Sequence, residues 1–250
     1  MSEAFDWSWL RDAAAGPEIT LDLYLALPED LSRQIEIEDG RIIHCESPSP
    51  SHQRISRNLI QVLMDCTEKH DREARTCHEV NGELDVLFTE VPRFHYRRPD
   101  VIVYRCVPRD RGGRWRDKPQ AGDVVIAVEV VSESTVTEDL STKRALYASA
   151  GIPHYWIIRM AGDEGIAVSV ERLSLSADRH YVTVGSAYRD RDLHAVATAD
   201  PFPITVTWDQ LDRGFPVIPL ARTTPASSPT PPASRDGPRV EPGRRLSAAP

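Results

Sequence analysis

Residues 96–105 read YRRPDVIVYR, and residues 122–156 read GDVVIAVEVVSESTVTEDLSTKRALYASAGIPHYW. The β-branched runs at 101–104 and 124–131 predict strands buried on both faces of a sheet. Each run is accompanied by a carboxylate. Asp100 stands at the mouth of the first, just after Pro99, and Glu129 lies inside the second between apolar neighbours. A carboxylate in a buried strand is costly unless something neutralises it. Two such acids on adjacent strands make a hard-oxygen site for Mg²⁺ or Mn²⁺. A cation there offsets the burial cost and can activate water against a phosphodiester.

The segment after Glu129 predicts a helix. Thr135 and Glu138 fit a capping box, and Gly151 fits a C-terminal stop. Val136, Leu140, Lys143, Tyr147 and Ala150 fall on one stripe, so Lys143 is expected to face inward. There it can hold an attacking water or steady developing phosphorane charge. Asp139, one turn earlier, is spaced to orient it. Taken singly, each residue has a plainer reading. Glu129 fits the solvent face of an edge strand, Lys143 fits a snorkelling side chain paired with Asp139, and Asp100 fits a strand-opening residue without chemistry. The three in this order favour a site.

The pattern resembles the Uma-type putative restriction endonucleases of the PD-(D/E)XK nuclease superfamily. The likeness is carried by RPDVIVY (98–104), VEVVSEST (128–135), DLSTKRALYASAGIPHYWII (139–158) and, upstream, IEIEDGRII and SPSPSHQR, and it spans residues 21–211. It implies an α/β fold with a restriction-endonuclease-like mixed central sheet flanked by helices; periodicity alone supports only mixed α/β. It implies Asp100 and Glu129 as ligands of Mg²⁺ or Mn²⁺, helped by the backbone carbonyl of Val130. The superfamily's usual lysine, two residues after the glutamate, is replaced here by Val131. The resemblance implies that Lys143 has taken over that role, with Tyr147 one turn on supporting it. A glutamate before "DG" recurs in the family, which turns Glu36 toward the metal, whereas alternation with Ile35 and Ile37 turns it outward.

The implied activity is metal-dependent endonucleolytic hydrolysis of phosphodiester bonds in DNA, and a homodimer would let such an enzyme cut both strands. The competing class is a non-catalytic nuclease-like module that binds nucleic acid or a protein partner. A third reading is a nuclease for RNA or for branched or single-stranded DNA.

A chain of 250 residues can bury one sizeable core. The net charge of −8 argues against a large nucleic-acid-binding patch but leaves room for a local basic groove. Cys45, Cys66, Cys77 and Cys106 lack CxxC spacing, which predicts reduced cytosolic thiols rather than a zinc site. The N-terminus lacks a signal-peptide pattern, and no stretch is long enough to cross a membrane, so a cytoplasmic protein is expected.

In order, residues 1–17 predict a loose leader, 18–220 the nuclease domain, and 221–250 a disordered Pro/Ser/Arg-rich tail. Thr20 caps a short helix ended by Pro28, and QIEIEDGRIIHC predicts a hairpin about Asp39-Gly40. SPSPSHQR opens a long helix with Ile55, Leu59, Val62, Leu63 and Cys66 on its buried stripe. His52 and Gln53, in its first turn with Arg54 and Arg57 nearby, either touch a substrate phosphate or are exposed polar residues. ARTCHEV and ELDVLF predict strands, and Asp85 in the latter ranks below Asp100 as a candidate acid. RCVPRDRGGRWRDKPQAGD, basic around Trp115, reads equally as a nucleic-acid-contacting loop or a solvated one. PHYWIIR predicts a strand, GIAVSVERLS and HYVTVGSAY an antiparallel pair, and FPITVTWDQL a closing strand and short helix.

Overall fold

The structure, a computed structural model, describes residues 17–44, 47–132, 137–161 and 165–214, without the side chains of 44 and 137–139. The leader up to residue 16, the tail, the Thr135–Glu138 cap and the Asp139 side chain lie outside the described residues.

The chain opens with helices α1 (Leu21–Ala26) and α2 (Glu29–Ser32), then the hairpin β1 (Ile35–Glu38) and β2 (Arg41–His44). The Thr20 hydroxyl accepts the Leu23 amide as the expected cap of α1. Asp39 and Gly40 both take positive φ, 48° and 76°, as a two-residue hairpin turn requires. Helix α3 (Pro50–Ala74) follows, with Ser49 as N-cap and Pro50 in the first turn. Arg75, at φ 58°, ends it, so the strand expected from ARTCHEV starts only at His78.

Strands β3 (His78–Gly82), β4 (Val86–Thr89), β5 (His95–Arg97), β6 (Val101–Arg105) and β7 (Val124–Val131) come next, then α4 (Thr137–Ala150). The chain continues through β8 (His154–Ala161), β9 (Ile166–Leu175), β10 (Tyr181–Tyr188), β11 (His194–Thr198) and β12 (Ile204–Thr207) to α5 (Trp208–Leu211). Gly151, at φ 82°, stops α4 as expected: its amide bonds Ala148 O, and the Ile152 amide bonds Tyr147 O.

The central sheet has the order β10-β9-β8-β7-β6-β3. It is mixed, because β7 and β8 run parallel through the α4 crossover while the other neighbours are antiparallel. Every residue of β7 is buried, as its unbroken apolar run predicts. One face carries Ile126, Val128 and Val130 and packs on α3 through Ile55, Leu59 and Leu63. The other carries Ala127 and Val131 and packs on α4 through Leu140, Tyr147 and Ala148. A smaller sheet, β2-β1-β5-β4, closes over α1 around Tyr24, Tyr96 and Trp115, and β11 pairs with β12.

One expectation is corrected. The reduced-thiol reading fails for Cys77 and Cys106, which form a disulfide. The β3–β6 register pairs His78 with Arg105, which sets the two cysteines side by side with Cα atoms 5.4 Å apart. The basic loop after β6 is anchored in part and solvated in part, with Arg105, Arg109, Arg114 and Arg116 exposed. Trp115 is buried against Tyr24, Phe94 and Tyr96, and its Nε1 donates to Pro119 O. Arg111, Arg114 and Lys118 are paired with Asp123, Asp22 and Asp85. An indole edge that can be desolvated in a core is more stable there than in water.

Candidate functional site

The β6–β7 register pairs Val101 with Val128, and one step further it sets Asp100 opposite Glu129. Strand alternation turns Glu129 to the α4 face with Ala127 and Val131. Only 3 % of Glu129 is exposed, so the solvent-facing reading does not hold. Two α4 side chains one turn apart meet it there. Lys143 Nζ donates to Oε2 at 2.9 Å, and the Tyr147 hydroxyl donates to Oε1 at 2.7 Å. Tyr147 thus holds the same carboxylate that Lys143 touches. The tyrosine is itself held by Phe88, stacked at 5.6 Å between centroids, and by Tyr155, edge-on at 5.3 Å.

Asp100 is bound from the other side. Its Oδ2 accepts the Val130 amide at 2.6 Å and lies 3.0 Å from His52 Nε2. Asp100, Glu129, Lys143, His52, Val130 and Glu36 all border one cavity of about 590 Å³. His52 is therefore not the exposed polar residue of the plainer reading. Its place was legible, since 52, 55, 59 and 63 share one helical stripe and the last three are fully buried. Gln53, by contrast, is exposed and does not border the cavity.

Glu36 is buried, against the expectation from alternation. The buried guanidinium of Arg97, on the neighbouring strand β5, neutralises it at 3.0 Å, and its other oxygen accepts the Arg98 amide at 2.7 Å. It borders the cavity with both oxygens already used. Asp85 is a structural hub: it accepts from Tyr24 at 2.6 Å and pairs with Arg98 and Lys118. Glu83 borders the cavity and was not anticipated. It is held at φ 51°, with its amide on Asp100 O, and no pattern of apolar residues announces such a position.

The electrostatics follow from burial and from like charge. Burial, and then the charge of Asp100, raise the Glu129 pKa to about 7 against the pull of Lys143 and Tyr147. Burial presses the His52 pKa down, but its bond to Asp100 and the charges of Asp100, Glu129 and Glu83 outweigh it, so the value is raised. Among the described residues no group of three or more His, Cys, Asp or Glu side chains is gathered to hold a metal. The acids that come together are the pair Asp100 and Glu129. Among the described residues no helix is long and apolar enough to cross a membrane.

The mixed central sheet with its α4 crossover is a nuclease-like fold of the restriction-endonuclease type. The chain belongs to the Uma2 family, described as "Putative restriction endonuclease", whose model matches residues 21–206. A solved structure of a putative nuclease belonging to DUF820 from Anabaena variabilis is similar with a TM-score of 0.53 and 18 % identity, over 77 % of this chain and 97 % of that one. At that identity the likeness is one of fold. No curated protein matches the chain.

Proposed function

We propose that the protein is a metal-dependent endonuclease that hydrolyses phosphodiester bonds in DNA. The observation that carries this reading is the buried Glu129, set opposite Asp100 and touched by Lys143, in one open cavity. The donor set fits Mg²⁺ or Mn²⁺: the two carboxylates and the Val130 carbonyl are hard oxygens that would hold such a dication. A fully buried carboxylate facing another acid is also the setting in which a cation relieves the most burial cost. When bound, the dication supplies Lewis-acid charge at the phosphoryl oxygen and makes water a better nucleophile.

The chain's own residues do the rest. Asp100, at the mouth of β6, and Glu129, within β7, would hold the cation. Lys143 aligns the attacking water and stabilises charge developing on the phosphorus oxygens. Tyr147 fixes the Glu129 carboxylate. The proposal includes a cytoplasmic setting and a homodimer for double-strand cleavage. Since disulfides are uncommon in reducing compartments, the state of Cys77 and Cys106 in the native cell bears directly on that setting.

One observation favours a second reading, a non-catalytic nuclease-like module. Both oxygens of Glu129 already have hydrogen-bond donors. Calorimetric titration with Mn²⁺ on the wild type, Asp100→Ala and Glu129→Ala separates the two readings, followed by cleavage assays on plasmid, single-stranded DNA and RNA. Mn²⁺ binding lost in both variants, with Mn²⁺-dependent DNA cleavage, supports the enzyme. Absence of binding and of cleavage in the wild type sinks it.

A further inference from the structure

We infer that His52 is a positioning residue that selects which oxygen of Asp100 faces the cavity; this rests on the reading that Asp100 holds a cation. Oδ2 of Asp100 accepts the Val130 amide at 2.6 Å and lies 3.0 Å from His52 Nε2, within reach of a second donor. Oδ1 has no partner among the described residues. The carboxylate is therefore oriented by clamping one oxygen from two directions, one donor from β7 of the sheet and one from α3. A carboxylate held this way presents its second oxygen in a fixed direction, as residues behind a metal ligand commonly arrange.

The side chain of His52 suits this part better than contact with a solvent-borne phosphate. It is 13 % exposed, and its Nδ1 is buried without a hydrogen-bond partner. Since a carboxylate oxygen can only accept, Nε2 carries the hydrogen. That donor exists in the neutral Nε2–H tautomer and in the protonated ring alike, so the role does not depend on a change of charge. The helix that carries it is anchored immediately behind. Ile55 and Leu59, one and two turns on along the same stripe, are 0 % exposed. Its first turn is fixed by the Ser49 cap, whose hydroxyl accepts the His52 amide at 3.2 Å. The ring is thus delivered by a docked 25-residue helix rather than by a loop.

The test uses reach. A glutamine amide nitrogen overlays histidine Nε2, whereas an asparagine amide nitrogen overlays Nδ1 and stops short of Asp100. The full chain is titrated with Mn²⁺ by calorimetry as wild type, Asp100→Asn, His52→Gln and His52→Asn, with the thermal midpoint of each recorded without metal. The expected result is an affinity loss of about tenfold to a hundredfold in His52→Asn, largely restored in His52→Gln, at matched thermal midpoints. Wild-type affinity in His52→Asn, with binding lost in Asp100→Asn, overturns the inference and leaves the cation reading standing. Equal loss in the Gln and Asn variants also overturns it, because reach would then be irrelevant. A wild type that binds no Mn²⁺ overturns both.

Discussion

Tyr147 donates its hydroxyl to Glu129 Oε1 at 2.7 Å, and both groups are sealed from solvent. This pair ties the middle of a buried strand to the helix that crosses over it. Replacing Tyr147 by Phe removes the hydroxyl and leaves the ring's stacking intact. It strands one oxygen of a buried carboxylate, which costs about 1–3 kcal/mol. The expected outcome for Tyr147→Phe is a lower urea midpoint of that size with an unchanged m-value. An unchanged midpoint would mean that water or another donor replaces the phenol.

The raised pKa of Glu129 has a definite sign in stability. Burial, then Asp100, lift it from the ordinary glutamate value of 4.5 to about 7 in the fold. The folded state therefore binds the proton more tightly than the unfolded chain. The stabilising contribution is fully present below about 4.5 and is lost as pH rises through about 7. Other groups act oppositely: Asp85, held down by Arg98, Lys118 and Tyr24 against its burial, loses stabilisation in acid. The comparison that isolates Glu129 is wild type against Glu129→Gln, without metal. The wild type should lose ground to the variant steadily between pH 4.5 and pH 7 in thermal or urea unfolding. A constant difference across that window would show that Glu129 titrates normally.

Lys143→Ala separates charge at phosphorus from the holding of the cation. Mn²⁺ should still bind, because both carboxylates remain, while DNA cleavage falls by about a hundredfold or more. Full cleavage by this variant would move the lysine's role elsewhere.

The Cys77–Cys106 bridge closes a loop with a sequence separation of 29 between its ends. Reduction should cost about 2–4 kcal/mol of stability, chiefly by freeing the unfolded chain. Alkylation of the denatured, unreduced protein followed by mass spectrometry should leave both cysteines unlabelled. Labelling of both would place the protein in its dithiol form.

Much of this arrangement was legible in the chain, for reasons that can be named. The runs at 101–104 and 124–131 have one reading as buried strands, and their order with the helix after Glu129 fixed which face Lys143 would meet. The hairpin at Asp39-Gly40 and the Ser49-Pro50 helix start are local signals that tertiary contacts do not override. What escaped depended on partners distant in sequence. Glu36 reads as outward until Arg97 arrives from another strand to neutralise it. Trp115 reads as one aromatic among arginines until Tyr24 and Tyr96 enclose it, and Arg111 and Arg114 look free until Asp123 and Asp22 meet them. The disulfide needs the β3–β6 register, which cysteine spacing does not contain. Glu83 depends on a left-handed backbone beside Asp100, and no periodicity encodes that.

Because Lys143 sits on the crossover helix and not two residues beyond Glu129, its distance to the acid is not set by covalent geometry. It is set by how firmly α4 is seated, through Leu140, Tyr147 and Ala148, on the sheet below. A lysine on the strand would keep its place even in a loosened core. Here the underside of a helix acts as the adjusting screw of the cavity, and a methyl group lost from buried Ala148, which makes no polar contact itself, is expected to change its working distances. Packing and chemistry in this protein are one mechanical unit.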